Sequence, residues 1–419
     1  MTAEVATRRE FLATVGALTA TSIAAPRLVH GTDVSEPGLA RETTTRGLAP
    51  SPDDFLLAPG LTYLQTGSLG PTPRPVMEAS IAAWRLLESD PAGQGYGPME
   101  RAMEEVRSKA AAFIGCKTEE LVLTNCTTEG MNWVAQGLGL VAGDRILTTD
   151  QEHPGGRVCW DYAVRRFGAG LDVVEIPPGE GDAQAIIDRF ARAITPKTRV
   201  LSFSHVLSST GLRMPVAALS ALARSRGCLS VVDGAQAAGG IAVDVKGLGC
   251  DAYATSGHKW MLAPKGTGLL YLSEAMGTAI DPIALQSGRA AYSASSGVSS
   301  LPSVLGLGAA IDYLNRIGMA RIEAHNLALR QRVHDGVARI PALRVVGGSG
   351  GALATPLLSY RLPEGLTSGA LHRRLRDRHG VEVKVVPSHW FNGHRISTHL
   401  FNTPGDVEAL IHALESELA

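Results

Sequence analysis

Short β-prone runs alternate with helical stretches through the middle of the chain, and this alternation restricts the possible folds more than any other feature. Strands that alternate with helices build βαβ units, which form a mostly parallel sheet and bind ligands at the carboxyl ends of its strands. The chain is therefore predicted to be an α/β protein. The six predicted strands are Leu121–Leu123, Arg145–Thr148, Leu171–Ile176, Val200–His205, Leu229–Val232 and Gly268–Leu272.

Helical patterns flank this region. Residues 73–114 are predicted to be helical apart from the turn-rich segment 90–95, and residues 302–340 are predicted to be largely helical with breaks. Runs of strand and helix in the remaining tail predict a smaller α+β domain. Its predicted elements are the strands Leu343–Val346, Leu357–Leu362, Val381–Val386 and Arg395–Leu400 and the helices Ser368–His379 and Pro404–Leu418.

The length of 419 residues is enough for two domains. We predict a large domain over residues 54–300, which includes an N-terminal arm. Residues 301–419 are predicted to contain a connecting helix and the small C-terminal domain.

Composition excludes several functions. A net charge of −1, with both signs mixed along the chain, leaves no basic face for nucleic acid. No apolar run reaches the roughly 20 residues needed to span a bilayer. Five scattered cysteines without a CxxC pair indicate neither a disulfide framework nor a zinc site.

The N-terminus has its own signal. Arg8 and Arg9 precede Phe11 and Leu12, and a mildly apolar stretch then runs from Ala13 to Ala25. This arrangement predicts a twin-arginine export signal over residues 1–25 and hence a periplasmic or extracytoplasmic protein. Residues 26–53, rich in Gly, Pro, Ser, Thr and charge, are predicted to be a linker.

Lys259 lies in the run TSGHKWMLAPKGTGLLYL, and the predicted strand Leu229–Val232 is followed by Asp233 and Gln236. A lysine amine can form a Schiff base with the aldehyde of pyridoxal 5'-phosphate (PLP), and a carboxylate can keep the pyridine nitrogen protonated. The combination therefore predicts a PLP enzyme. Thr127 and Thr128, at the start of a predicted helix, are candidates for the phosphate site because a helix N-terminus offers free N–H groups.

These segments resemble the class V aminotransferase family, whose members share the PLP-dependent fold type I. The resemblance runs from about Tyr63 to the C-terminus. The chain is most similar to the isopenicillin N epimerase-like branch, to which the cysteine desulfurases are related. The motifs that carry it are YLQTGSLGPTPRPV, TTEGMN, QEHPGG, SSTGLRMPV and GHKWML.

The resemblance implies roles for further residues. Ser256 and His258 would help to hold the phosphate, His153 would lie over the pyridine ring, and Gln236 would bond the phenolic oxygen. Arg395 would clamp the substrate carboxylate, a task that suits its planar fork of donors.

The chain also departs from the family pattern at three places. Gln65 replaces an Asn and is a candidate for the substrate pocket, and Ser208 stands near the place where desulfurases carry an Asn beside the ring oxygen. In the family, a Gly-Thr pair usually contacts the cofactor phosphate of the partner subunit. This chain lacks the pair at the corresponding place, so Ser299 or Ser300 must make the contact or the contact is lost. The resemblance also implies a homodimer with active sites at the subunit interface.

Cysteine desulfurases need a thiolate on a loop shortly before the carboxylate-binding arginine. No Cys lies between Val381 and Arg395, so a persulfide mechanism is disfavoured. His389, Trp390 and His394 occupy this region and are candidates for substrate contact, His389 foremost. His389, His394 and His399 do not have the i, i+4 spacing that places two ligands on one face of a helix. A metal site is therefore the weaker interpretation.

Lys259, Asp233 and His153 are therefore the predicted catalytic residues. The predicted function is action at the α-carbon of an amino acid or modified peptide, by transamination or epimerisation. Two alternatives stay open: β-elimination at a carbon–sulfur bond, and PLP binding without turnover. A dinucleotide-binding dehydrogenase is disfavoured because no G-x-G-x-x-G follows the first strand. Specificity is predicted to lie in segments 94–96, 291–300 and 388–392.

Overall fold

The computed structural model describes residues 52–347 and 350–418. The predicted export signal and the predicted linker up to residue 51 lie outside these ranges. Within them, no helix is both long and apolar enough to cross a membrane.

A seven-stranded sheet forms the centre of the molecule. Its order is β2-β8-β7-β6-β5-β3-β4. Strands β3 to β7 pair in parallel, whereas β8 is antiparallel to both of its neighbours. The prediction of a mostly parallel sheet is confirmed. The strands are β2 Leu121–Thr124, β3 Arg145–Thr149, β4 Gly170–Val174, β5 Thr198–Ser204, β6 Leu229–Asp233, β7 Ala252–Ser256 and β8 Gly268–Leu272.

A second, four-stranded antiparallel sheet follows in the chain, in the order β12-β13-β10-β9. A short parallel pair, β1 with β11, joins the beginning of the described chain to this later part. The bounds are β1 Thr62–Tyr63, β9 Arg344–Val346, β10 Leu357–Arg361, β11 Val381–Glu382, β12 Lys384–Val386 and β13 Gly393–Ser397.

Thirteen α-helices lie in the part of the chain that the structure describes. Helix α6 illustrates why they form: Asp182 caps its N-terminus, and Ile186 and Phe190, one helical turn apart, are buried. The helices are α1 Arg74–Ser89, α2 Pro91–Gly95, α3 Pro98–Ile114, α4 Thr127–Gly137, α5 Pro154–Phe167, α6 Ala183–Ala193, α7 Val216–Ser225, α8 Val245–Leu248, α9 Glu274–Ala279, α10 Leu301–Ile317, α11 Met319–Ala338, α12 Ser368–His379 and α13 Pro404–Leu418.

The structure corrects two predicted details and locates a predicted break. The segment predicted as a turn at 90–95 contains the short helix α2. Strand β7, which leads directly to Lys259, was not predicted. The helical stretch 302–340 is two helices, separated at Gly318, whose φ of 92° lies in the left-handed region that favours glycine.

His399 connects the C-terminal part of the chain to the segment that follows Lys259. Its ring is fully buried, and its Nε2–H donates to the Trp260 carbonyl at 2.7 Å. Its Nδ1 lies 3.3 Å from the Asn326 side-chain amide nitrogen. Burial lowers the pKa of this imidazole from 6.5 to about 4, although the bond to Trp260 opposes the shift.

The free energy of unfolding is expected to fall as the pH is lowered from about 6.5 to about 4. Unfolded His399 binds a proton at about its ordinary pKa, whereas the folded ring stays neutral until about pH 4. The unfolded state therefore binds more protons in this interval, so stability is lost as the pH falls. The slope is on the order of 1 kcal/mol per pH unit.

Urea unfolding at several pH values would measure this slope. His399→Gln should make it shallower, and His412→Gln, which removes an exposed imidazole, is the matched control. Equal slopes in the wild type and in His399→Gln would contradict the assignment.

Candidate active site

The carboxyl ends of the parallel strands bring the predicted residues to one edge of the large sheet. Asp233 is the last residue of β6, His153 follows β3, and Ser208 follows β5. Lys259 comes three residues after β7. Because these strands are neighbours and parallel, residues distant in sequence meet at this edge.

A cleft of about 290 Å³ opens beside these strand ends. Five of the predicted site residues line it: His153, Ser208, Gln236, Lys259 and Arg395. The other lining residues are Gly67, Ser68, Pro154, Ser209, Lys384, Val386, Pro387 and Trp390.

Lys259 has part of its surface open to the cleft, and the rest of its side chain is enclosed. Burial lowers the pKa of its amine to about 8, and the positive charge of Arg395 adds to this effect. The negative charge of Asp233 opposes it. A substantial fraction of the amine is therefore neutral near physiological pH, which is the form that acts as a nucleophile or base.

Asp233 is buried, and burial raises the pKa of its carboxyl, while a hydrogen bond from the Ala235 backbone N–H and the charge of Lys259 lower it. A Cβ added at Gly156 would overlap the other carboxylate oxygen, Oδ2. Glycine at position 156 therefore makes room for this carboxylate.

His153 caps the N-terminus of α5. Its Nδ1 accepts a hydrogen bond from the Gly155 backbone N–H at 3.0 Å, so a neutral ring carries its proton on Nε2. Partial burial and the charges of Lys259, Arg395 and Lys384 lower the pKa of the imidazole to about 4. The ring is neutral at pH 7 and can lie against an aromatic group.

The predicted phosphate residues meet at the start of α4. The Thr127 backbone N–H donates to the Ser256 hydroxyl at 3.0 Å, and the two side-chain hydroxyls lie 2.8 Å apart. Thr128 lies close to Gly155, at which a Cβ would approach the Thr128 hydroxyl to 2.6 Å. The N-terminus of α4 therefore contacts Ser256 and Gly155, although Thr127, Thr128, Ser256 and His258 are not among the residues that line the cleft.

Arg395 is buried and braced on two sides. Its Nη1 donates to the Ser208 carbonyl at 2.8 Å, and its Nη2 lies 3.3 Å from the Ser68 hydroxyl. Burial lowers the pKa of its guanidinium to about 10, so the group stays charged at pH 7. These two contacts fix the guanidinium and leave one edge of its planar group of N–H donors available for a carboxylate.

Gln236 is held by two hydrogen bonds. Its amide nitrogen donates to the Gly67 carbonyl at 2.8 Å, and its amide oxygen accepts from the Trp260 indole N–H at 2.9 Å. The second N–H of the amide is left for a ligand oxygen, and its bond to the phenolic oxygen, which the family resemblance implies, stays a prediction.

Three buried polar atoms at this site have no hydrogen-bond partner among the described residues: Ser208 Oγ, His258 Nδ1 and Arg395 Nε. Buried polar groups in proteins are nearly always satisfied, so these atoms indicate a polar ligand. Together with the enclosed amine of Lys259 and the carboxylate of Asp233, they fit PLP and an amino acid.

Other predicted residues lie elsewhere. Gln65 does not line the cleft; its amide bonds Glu382 at 2.5 Å and accepts from Ser68 at 2.8 Å. His389 is exposed and its ring lies tilted against Trp390 with 5.0 Å between the centroids, whereas His394 is buried against Tyr360. Of these aromatic and imidazole rings, Trp390 is the one that lines the cleft.

Two predicted specificity segments line a separate apolar cavity of about 340 Å³, where Tyr96 and Tyr292 make an edge-to-face contact at 6.0 Å. Within one chain, segments 94–96 and 291–300 are therefore not part of the cleft. The contact of Ser299 or Ser300 with a partner-subunit phosphate, and the homodimer itself, stay predictions.

Sequence reasoning missed two charged residues at the site. Glu152 was noticed only as part of a motif; its carboxylate accepts from the Ser204 and Thr149 hydroxyls at 2.6 and 2.7 Å. Burial and the charge of Asp233 raise the pKa of Glu152 to about 7, against the effect of these bonds. Lys384 lines the cleft, and its only sequence signal was a charge inside an apolar strand.

Known proteins share this architecture. The family model of aminotransferase class-V matches residues 63–410. Isopenicillin N epimerase of Amycolatopsis lactamdurans is 32% identical over 388 residues, which cover 86% of this chain and 96% of the epimerase.

Two solved structures are similar. The apo structure of cysteine desulfurase from Thermococcus onnurineus NA1 has a TM-score of 0.75 at 27% identity, covering 87% of this chain and 96% of that one. A complex of the cystine C-S lyase C-DES with its product cysteine persulfide has a TM-score of 0.76 at 25% identity, covering 84% and 97%.

Fold, site and comparisons define a PLP-dependent enzyme of fold type I. The chain belongs to the class V aminotransferase family, as the sequence motifs predicted. Its cofactor is PLP.

The pH dependence of cofactor capture follows from the pKa of Lys259. The rate at which apoprotein binds PLP covalently should rise through about pH 8 and then level off, because the neutral amine is the nucleophile. Asp233→Asn should lower the midpoint, since the charge of Asp233 raises the pKa of Lys259.

Stopped-flow absorbance would measure the rate, and borohydride reduction with peptide mapping would identify the modified residue. Lys259→Ala is the control without the amine. A rate that continues to rise up to pH 10 would contradict the lowered pKa.

Proposed function

We propose that this chain is an exported PLP-dependent enzyme that acts at the α-carbon of an amino acid or modified peptide, as an aminotransferase or epimerase. The observation that carries the proposal is that Lys259 and the braced guanidinium of Arg395 line one cleft, while the buried carboxylate of Asp233 acts electrostatically on the Lys259 amine. Each group has a separate task in such a reaction.

Bound at this site, PLP supplies an electron sink that stabilises negative charge at the α-carbon. Asp233, whose buried carboxylate accepts a hydrogen bond from the Ala235 N–H, would keep the pyridine nitrogen protonated. Lys259 would hold the cofactor, and its free Nζ would be the base for the α-proton.

Arg395 orients the substrate by binding the α-carboxylate through its free edge. Its contacts with Ser208 and Ser68 limit the movement of the guanidinium. Neutral His153 lines the cleft, and it would lie over the pyridine ring as the family resemblance implies. Delivery of this proton from Lys259 to the cofactor carbon would lead to transfer of the amino group, whereas inversion would require a second acid to protonate the opposite face of the α-carbon.

Elimination at a carbon–sulfur bond is the second candidate, and one observation favours it over sulfur transfer. As far as the structure describes the chain, none of the five cysteines lines the cleft. The loop around Pro387 and Trp390 occupies the region where a sulfur-accepting thiol would be needed. Elimination needs only Lys259, Asp233 and Arg395, whereas a persulfide pathway needs that thiol.

Incubation of the holoenzyme with a panel of amino acids and amino-acid-bearing peptides would separate these reactions. A keto acid indicates transamination, an inverted stereocentre indicates epimerisation, and a released thiol indicates elimination. Lys259→Ala should lower turnover by at least about 100-fold, the usual contribution of a positioned acid–base group. Cofactor absorbance that no amine substrate changes would instead support a PLP-binding protein without turnover.

Export is part of the proposal and is supported by Arg8, Arg9 and the apolar stretch that follows them. The twin-arginine route suits a cofactor enzyme because it carries proteins that are already folded. Cell fractionation should find the wild type outside the cytoplasm and the double variant Arg8→Lys, Arg9→Lys inside it. Unchanged localisation of the variant would reject the signal.

A further inference from the structure

The wall of the cleft carries an excess of positive charge. Lys384 lines the cleft together with Lys259 and Arg395, and no Asp or Glu is among the described residues that line it. The charge of Asp233, which does not line the cleft, acts on Lys259, and no carboxylate of the cleft wall faces Arg395 or Lys384.

Lys384 and Arg395 lie directly opposite each other on the antiparallel strands β12 and β13. Side chains of such a pair project from the same face of the sheet, and like charges in this arrangement are destabilising. The positive charge of Arg395 adds to partial burial in lowering the pKa of Lys384. The charge of Lys384 also reaches His153 and Lys259, the pKa values of which it lowers.

The side chain of Lys384 makes no hydrogen bond or ion pair with any residue in the described ranges. Two lysines on more exposed surfaces differ in this respect, since Lys109 pairs with Asp312 at 2.7 Å and Lys246 pairs with Glu120. A partly buried lysine beside an arginine, without a counter-charge, is unfavourable in the absence of an anion. One α-carboxylate neutralises only one of the two cations.

We propose that Lys384 forms a subsite for a second acidic group, so that the substrate is an α-amino acid whose side chain ends in an acid. This inference rests on the proposed function, because it assigns the α-carboxylate to Arg395. The ammonium of Lys384 binds the distal acid as a point charge with three donors.

The residues around Lys384 indicate the shape of this side chain. Val386, Pro387 and Trp390 continue the same wall of the cleft and present apolar surface. Methylene groups can pack against this surface while the terminal acid bonds Lys384. An acidic side chain with an aliphatic spacer fits both parts of the wall.

Ligand binding to the apoprotein, which carries out no reaction, tests the subsite separately from turnover. Glutarate and its monoamide, glutaramate, have nearly the same shape and differ in one charge. Glutarate should raise the melting temperature of wild-type apoprotein more than glutaramate does. Lys384→Gln should abolish this difference, Lys384→Arg should retain it, and Lys197→Gln, which removes an exposed lysine outside the cleft, is the charge-matched control. A difference that persists in Lys384→Gln would overturn the proposal.

Holoenzyme tests the same subsite with L-glutamate and L-glutamine, by titration of the cofactor absorbance and by product analysis. The ratio of their dissociation constants should favour glutamate in the wild type and fall about tenfold in Lys384→Gln, as expected for loss of one charge-assisted hydrogen bond. An equal loss for both amino acids would show that Lys384 binds the shared α-carboxylate, and would overturn the proposal.

The two experiments separate the subsite from the proposed function. If no amino acid changes the cofactor spectrum, but the preference of apoprotein for glutarate depends on Lys384, the proposed reaction fails and the acid subsite stands. If amino acids react but glutamate and glutamine do so equally well, the reaction stands and the subsite fails.

Discussion

The enclosure of a lysine amine at the carboxyl edge of a parallel sheet is the constraint on which the rest of the site depends. Burial removes water from Lys259 and lowers the pKa of its amine to about 8. Asp233 limits this shift, and it is the carboxylate predicted to face the pyridine nitrogen. Burial therefore keeps part of the lysine amine neutral and reactive, and the charge of Asp233 sets how far the pKa falls. Arg395 acts in the opposite direction, because its positive charge favours the neutral amine.

Much of the large sheet could be predicted from the sequence because most of its strands are apolar runs bounded by turns. The predicted strand Leu229–Val232 is β6, and Asp233 follows as its last residue. Strand β7 was missed because Ala252–Ser256 is composed mainly of small and polar residues with no apolar periodicity. Its burial comes from pairing with β6 and β8 on its two sides, which local sequence does not reveal.

The residues of the site likewise divide into those that local sequence predicts and those that it does not. Residues in motifs next to strand ends, such as His153 and Gln236, reached the cleft because parallel strands carry them there. Lys384 was missed because its importance comes from its register with Arg395, which is a property of two paired strands. His389 and Trp390 are adjacent in the loop before β13, so the sequence could not predict which of the two side chains lines the cleft. The turn at Pro387 directs the indole into the cleft and leaves the imidazole exposed.

The cleft is built from both ends of the described chain. Gln65 bonds Glu382, which is 317 positions away, and the Ser397 backbone N–H donates to the Leu64 carbonyl. These bonds hold the segment that carries Gly67 and Ser68 against Arg395. Contacts of such long range form late in folding. During synthesis, the strand that bears Arg395 leaves the ribosome long after Gly67 and Ser68, so the cleft can be completed around PLP only once β13 has been made.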